Sequence, residues 1–470
     1  MIDRLLHAHD APALVDAATG ATWTHRALRD VLLAAATRWD APRKALAFLL
    51  MRNDVASIVA LGSLTAAGHA VVLLDATLDD EAREVLVRTY QPDCIIESRE
   101  TATGTSVTLA DGDATVWVTT RDADADVAAV HPALALCLAT SGSTGSPKLV
   151  RLSASAVIAN ATAIAQALDI GPSDRAITCL PLHYSYGLSL LTSHLAAGAS
   201  IVVTANGVMD PPFWREVSTL GVTALAGVPY TYTMLERLGL PRVIPTGVRV
   251  MTQAGGKLDE QAACRVHAFM AARGGRFHVM YGQTEATARI AIMPHDWLPA
   301  RAGAVGRAIP GGTLEAWDAD GRPLPTDTEG EIVYRGPNVM LGYATTRDEL
   351  ALGDVQRGVL RTGDLGRLDA DGALRITGRI KRMGKLFGVR VDLDAVERLA
   401  DEEIPVAVID GTDTLIVFAV GATPTTVESL RQRLAARLKV QQRAIDVRTI
   451  AALPRTPAGK VDYPQLRACA

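Results

Sequence analysis

"LATSGSTGSPKLV", residues 138–150, follows the apolar run "PALALCL" and packs Gly, Ser and Thr around a single lysine, Lys148. The apolar run reads as a buried strand. A strand that ends in a loop rich in N–H and hydroxyl donors, with one full positive charge, suits an anion, and polyphosphate is the first candidate. An ordinary surface loop accounts for the same composition. The P-loop of nucleotide triphosphatases does not fit, because its lysine lies between glycine and a magnesium-binding hydroxyl. Lys148 stands between Pro147 and Leu149.

Outward from this loop, helical stretches such as "HRALRDVLLAAATRW" (25–39) and "SASAVIANATAIAQAL" (153–168) alternate with short β-branched runs such as "SIVVT" (200–204). That rhythm predicts βα units around a parallel sheet, with the 138–150 loop after a strand and before a helix. It resumes over 213–282, where apolar runs stop at Gly, Pro or polar turns, the strand ends at which open α/β sheets hold ligands. Beyond about residue 300 the texture changes to strands joined by D-G and Pro-rich turns, predicting a small β-barrel or β-subdomain. From about 380 a short module follows, with strands "VAVID" (406–410) and "LIVFAV" (415–420) and helix "TVESLRQRLAARL" (426–438). The fold expected is α/β: a large N-terminal domain of βα-type sheets plus a β-subdomain over 1–379, and a small mobile C-terminal α+β domain over 380–470.

Composition narrows the function. The chain has 470 residues, 49% of them hydrophobic, enough for two or three domains with large cores. The formal charge of −4 and the absence of a Lys/Arg-rich block argue against nucleic acid as a partner. Five scattered cysteines, Cys94, Cys137, Cys179, Cys264 and Cys469, fit reduced thiols in the cytoplasm, most of them as small core residues. The N-terminus lacks a secretory pattern. "IVALGSLTAAGHAVVLL" (58–74) approaches membrane-span length, but its polar residues and glycines predict a buried helix, a turn and a core strand, so no integral membrane association is expected.

Four further stretches carry chemistry: "YGQTEATAR" from 281, "RTGDLGRLDADG" from 361, "GRIKRMGKLFGVRVDLDAVE" from 378 and "PRTPAGKVDY" from 454. With the Ser/Thr/Gly loop, in this order and spacing, they resemble the adenylate-forming superfamily of acyl-CoA synthetases, peptide-synthetase adenylation domains and luciferases over nearly the whole chain. The resemblance implies ATP-dependent activation of a carboxylic acid to an acyl adenylate, with Mg²⁺ and release of pyrophosphate. Transfer to the thiol of CoA or of a carrier-protein phosphopantetheine would follow.

Residue by residue, the resemblance assigns Thr140, Ser141, Gly142, Ser143, Thr144, Gly145 and Lys148 to the phosphate loop. Gly255 and Gly256 would pass along the adenine, Tyr281 would lie against it with Gly282 beside, and Thr284 would reach the α-phosphate. Glu285 would ligate Mg²⁺, Asp364 would accept the ribose hydroxyls, and Arg379 would support ribose or phosphate. Lys460 would bridge the acid and the α-phosphate, Lys381 would be the hinge of a rotating C-terminal domain, and Lys385 with the Gly388 loop would line the thiol tunnel. Arg382 and Arg390 could meet the phosphates of CoA. Taken singly, Tyr281 is as well a core ring, Glu285 and Lys460 solvated charges, and Lys381, Arg382 and Lys385 a basic surface loop.

"LPLHYSYGLSLL" (180–191) matches the segment that lines the acid pocket, with His183 or Tyr184 as its gate. Amino-acid-activating relatives carry an Asp where Gly187 stands, which disfavours a substrate ammonium. The expected walls, Tyr184, Tyr186, Gly187, Val228, Tyr230, Thr231, Met280, Ala288 and Ile290, are apolar with few charges and suit a fatty or aromatic acid. A stand-alone amino-acid adenylation enzyme loading a carrier protein, and a non-catalytic nucleotide- or acyl-binding member of the same fold, are the alternatives.

Overall fold

The computed structural model describes residues 1–99, 104–110, 114–120, 127–140, 148–386, 389–400, 404–411, 414–438, 440–456 and 460–470; for Thr140 and several residues between Lys381 and Arg398 it describes the backbone alone. By its contacts the chain divides into two compact units, Met1–Leu314 with Tyr334–Leu360, and Glu315–Val333 with Arg361–Ala470.

The larger unit is built on an eight-stranded sheet whose centre is parallel: Cys94–Glu97, Leu46–Met51, Ala70–Asp75 and Leu134–Thr140 lie side by side in that order. The apolar run 58–74 resolves as expected. Helix Val55–Ala66, capped by the Asp54 carboxylate on Ser57 N, is buried along nearly its whole length, and after a turn at Gly68 the chain enters the buried strand Ala70–Asp75. A helix apolar all round belongs inside a large core. Among the described residues no helix is long and apolar enough to cross a membrane.

Two expectations need correction. The 141–147 segment does not lead from strand to helix; it joins two antiparallel strands, Leu134–Thr140 and Lys148–Ser153, with Thr140 opposite Lys148. Helix Ala154–Leu168 begins only after the second strand, capped by Ser153 on Ala156 N. The strand "KLVRLS" was hidden by Arg151, a charge in its middle. Arg151 is fully buried there, and its guanidinium donates to the carbonyls of Leu341, Tyr343, Leu352 and Gly353. The sheet is also mixed rather than parallel, and Ser200–Val203 leaves it altogether. That strand pairs with Pro12–Asp16 and Arg175–Ile177 in a separate small sheet.

A further sheet places Ala224–Gly227, Val250–Gln253 and Arg276–Tyr281 in parallel, then adds two short antiparallel strands. The β-rich segment expected after residue 300 is a four-stranded sheet of Thr313–Trp317, Gly330–Arg335, Val359–Leu368 and Leu374–Arg379, in that order. The D-G turns fall where expected, at Asp320-Gly321, held by the Asp318 carboxylate, and at Asp371-Gly372, held by Asp369. In the C-terminal module Val406–Asp410, Leu415–Val420 and Ile445–Ile450 form a three-stranded sheet, with helices Leu393–Ala400 and Pro424–Leu438 packed on it around Val408, Val417, Leu430 and Leu434.

Of the cysteines, Cys137 is buried, and burial pushes its thiol up to about 12; Cys469 is exposed.

Candidate active site

In the larger unit parallel strands of two sheets end at Asp75, Thr140, Gly227, Gln253 and Tyr281, and several of the expected site residues follow these ends in the chain. Lys148 opens the strand that returns from the 141–147 segment, and its Nζ sits 3.1 Å from the centroid of the Tyr343 ring. The Tyr343 hydroxyl in turn donates to Glu285 Oε1 at 2.8 Å. One tyrosine therefore ties the expected phosphate lysine to the expected metal carboxylate. Tyr343 had no sequence signal of its own; it comes from strand Gly342–Ala344, paired with Lys148–Ser153. Burial, with the Glu285 charge beside it, pushes its phenol well above the usual range, so it remains a donor. Ser141, Gly142, Ser143, Thr144 and Gly145 lie outside the described residues, as does the Thr140 side chain.

The backbone around Glu285 is tightly determined. Its carbonyl accepts from Met340 N at 2.9 Å, and Thr284 Oγ1 lies 3.3 Å from Ser185 Oγ. Thr287 and Ala288 follow at φ of 62° and 146°, a region that non-glycine residues occupy at a cost of about 1–3 kcal/mol each. Asn338 holds this turn, its amide donating to the carbonyls of Ala286 and Arg289 while its own carbonyl accepts from Thr287 Oγ1. Gly282 lets the chain close on itself, since a Cβ there would stand 1.8 Å from Ala288 O. Tyr281, at the strand end, is partly exposed.

The expected acid pocket lies between helix Ser185–Ala196 and the strands of the five-stranded sheet. Asn53, missed in the sequence, clamps its entrance loop: the side chain donates to the carbonyls of Thr178 and Leu180 and accepts from Leu182 N. His183 Nε2 is 3.6 Å from Asp75 Oδ2; burial lowers its pKa against the pull of that carboxylate. The Tyr184 hydroxyl is packed so close to Gly255, which adopts φ 84°, that a Cβ there would lie 2.7 Å from it, and Val228 closes the same spot. Tyr186 is buried and hydrogen-bonded to Thr252 at 2.8 Å. Gly187 does not face open space: a Cβ there would meet Pro181 O at 2.1 Å, so no side chain, acidic or otherwise, fits. Tyr230 is 44% exposed, unlike Met280, Ala288 and Ile290, which are buried.

A small cavity of about 20 Å³ is lined by Tyr186 and Met280 together with residues of helices Ala154–Leu168 and Ser185–Ala196 and of the sheet. Its wall includes a charge between the expected apolar residues Ala288 and Ile290. Arg289 is 2% exposed. Its Nη2 donates to Ser189 Oγ at 3.1 Å, its guanidinium lies 4.5 Å from the Tyr186 ring centroid, and its Nε has no partner. Taking such a cation out of water costs several kcal/mol. A ring stack returns about 0.5–2 kcal/mol and a hydroxyl bond about 1.5–3, so the site as it stands undercompensates the charge. The signal available in the sequence was an arginine four residues after Glu285 inside an apolar run.

In the smaller unit Asp364, 2% exposed, pairs with Arg379 at 2.7 Å across adjacent strands, so the two residues expected at the ribose hold each other. Lys460 is exposed; its carbonyl accepts from Thr456 N, beside the Arg455–Val461 bridge. Arg382, considered above for CoA, is instead a packing residue. It bonds Asp394 at 2.8 Å and Glu397 at 2.5 Å, donates to Val408 O, and lies over the Tyr463 ring, whose hydroxyl also reaches Glu397. Those four anchors leave it little to offer a ligand. Lys381 lies in the single turn Ile380–Arg382 and Lys385 in strand Met383–Leu386; their side chains, that of Arg390 and all of Gly388 lie outside the described residues.

Comparison with known proteins supplies the wider context. Residues 4–344 match the family model described as AMP-binding enzyme. The sulfoacetate–CoA ligase of Cupriavidus necator is 32% identical over 365 residues, 73% of this chain and 68% of that protein. A 2-succinylbenzoate–CoA ligase of Bacillus cytotoxicus is 32% identical over 244 residues, 51% of this chain, and the match spans about half of that protein's length, 48%. Among solved structures, o-succinylbenzoate CoA synthetase of Bacillus subtilis in complex with its acyl-adenylate intermediate superposes with a TM-score of 0.76 at 21% identity, covering 97% of this chain and 95% of that one.

Proposed function

The chain belongs to the AMP-binding enzyme family, within the adenylate-forming superfamily, and from that membership we propose that it is an ATP-dependent, AMP-forming acid–thiol ligase. In the first half-reaction a carboxylate oxygen of the acid attacks the α-phosphorus of ATP, and the bond to the β-phosphate breaks with pyrophosphate leaving on its electron pair. In the second a thiolate attacks the acyl carbon and AMP leaves; the thiol proton passes to solvent. The thiol is that of CoA or of a carrier-protein phosphopantetheine.

The observation that supports this reading most directly is the line Lys148–Tyr343–Glu285 beyond the strand ends. Two anions must meet in the first half-reaction, so its barrier is electrostatic. A lysine for the departing phosphates and a carboxylate for a cation, held by one shared residue, answer that need. Among the described residues no three His, Cys, Asp or Glu side chains form a metal cage. Glu285 alone fits Mg²⁺, which is commonly held by one carboxylate plus substrate phosphates and there neutralises developing charge. Tyr281 and Gly255–Gly256 are assigned to adenine, Thr284 to the α-phosphate, Asp364 with Arg379 to ribose, and Tyr184, Tyr186, Val228 and Met280 to the body of the acid. His183 is assigned to the pocket's gate. Amino acids are disfavoured by the absence of room at Gly187. Rotation of 380–470 about Lys381 is proposed to bring the Lys385 strand into the second half-reaction.

The test is acid-dependent ATP–pyrophosphate exchange, followed by mass detection of product with CoA and with a phosphopantetheinylated carrier. Lys460→Ala is expected to lower exchange by a factor of about 10² to 10³ while sparing thiol transfer from presynthesised acyl adenylate. Equal loss of both half-reactions would remove Lys460 from the first.

A further inference from the structure

Among the described residues the other buried arginines of the larger unit have their charge answered by carbonyls or a carboxylate, although Arg347 Nη2, like Arg289 Nε, lacks a hydrogen-bond partner. Arg151 donates to four backbone carbonyls. Arg347 donates to the carbonyls of Tyr90, Gln91 and Ala128 and stands 3.7 Å from the Asp93 carboxylate. Arg289 has one serine hydroxyl and the face of a tyrosine, with Nε left over.

Among the described residues no carboxylate acts on it. Asp174, which also borders the cavity, is taken up by Arg249, Thr223 and the Gly171 amide. His194, on the same wall, is kept neutral by burial and turns Nδ1 toward Leu190 O, so its remaining nitrogen offers a lone pair rather than a charge. The cation is nevertheless held in place. The Arg289 backbone carbonyl is fixed by Asn160 and Asn338. Its side chain lies in the cavity beside Tyr186 and Met280, both assigned above to the acid.

We propose that Arg289 is the counter-ion for a second anionic group on the acid, so that the substrate carries one carboxylate to be activated, an apolar or aromatic body, and a carboxylate or sulfonate at its far end. The inference rests on the acid-activating reading above. A preformed cation in a water-poor wall rewards a matching anion twice: the anion gains a charge-assisted hydrogen bond, and the unused donor is satisfied. An acid ending in a methyl group leaves that donor unpaired, the situation in which enzymes reject analogues most strongly.

The test is pyrophosphate exchange with matched pairs: hexanoate against adipate, benzoate against terephthalate, and propanoate against 3-sulfopropanoate. The anionic-tailed member of at least one pair is expected to have a kcat/KM tenfold or more above its neutral partner; the sulfonate pair separates the two kinds of anion. Arg289→Met should raise KM for the anionic-tailed acid by tenfold or more and erase the preference, and Arg289→Lys should keep part of it. Neutral-tailed acids used equally well or better by the wild type, or a preference unchanged in Arg289→Met, overturns the inference and leaves the ligase reading standing. Should Arg289→Met fail to fold, the wild-type panel decides alone. If none of these six acids supports exchange, binding is measured instead. The melting midpoint then decides the inference: a rise with the anionic-tailed acid that is smaller in Arg289→Lys and absent in Arg289→Met supports it, and no rise in wild type, or an equal rise in Arg289→Met, overturns it.

Discussion

Arg289 in the larger unit and Arg382 in the smaller one are both withdrawn from water, and their surroundings differ in kind. Arg382 meets Asp394, Glu397, Val408 O and the Tyr463 ring; Arg289 meets Ser189 and the Tyr186 ring. A charge closed off on every side is part of the packing, whereas one left partly unanswered beside a cavity has capacity for a ligand. The contrast extends to the units themselves. All ten histidines of the chain fall in the larger one, where His194 and His278 are buried and neutral, while Arg382 and Glu397 of the smaller unit are paired with each other, burial nonetheless raising the Glu397 pKa.

The largest effect expected from this difference is on acid stability. Burial lowers the pKa of His194 and of His278 to about 4 in the folded chain. Unfolded, each takes up its proton below about 6.5. Stability fully present above pH 6.5 is therefore lost as pH falls toward 4, by about 2 kcal/mol per histidine on going from pH 7 to pH 5. Urea unfolding followed by hydrogen exchange should find the loss in the larger unit, and His278→Gln should lessen it. Equal stability of that unit at the two pH values would break the contrast.

Next in size is a pair of matched substitutions. Arg382→Met strands Glu397 in a buried site and should destabilise the smaller unit by about 3 kcal/mol. Arg289→Met removes an undercompensated charge and should leave the melting midpoint unchanged or raise it. Comparable losses from both would mean that Arg289 is a packing residue after all.

The smallest effect tests how the larger unit joins its own opposite charges through a neutral ring. Tyr343→Phe keeps the ring under Lys148 and deletes the bond to Glu285. Exchange should fall about tenfold, which corresponds to about 1.4 kcal/mol, with a higher Mg²⁺ requirement. An unchanged Mg²⁺ titration would remove Tyr343 from the positioning of Glu285.

What could be read in advance was local or carried by motif. Helix Ala154–Leu168 announced itself by its helical pattern, the strands at 406–410 and 415–420 by β-branched runs, and the turns by D-G pairs. Five motifs in order pointed to the adenylate-forming superfamily, to which the chain belongs. The strand around Arg151 was illegible because the four carbonyls that make a buried arginine tolerable come from residues 341–353.

The sequence by itself determined the family, most of the helices and turns and the residue types available for phosphate, cation and nucleotide, since these depend on neighbours a few positions away. Only the tertiary structure decided that Gly187 abuts Pro181, that Tyr343 joins Lys148 to Glu285, that Arg382 is closed off and that Arg289 is not. The state of a buried charge is set by partners brought in from elsewhere in the chain, Ser189 lying a hundred residues from Arg289, and no local pattern encodes their arrival.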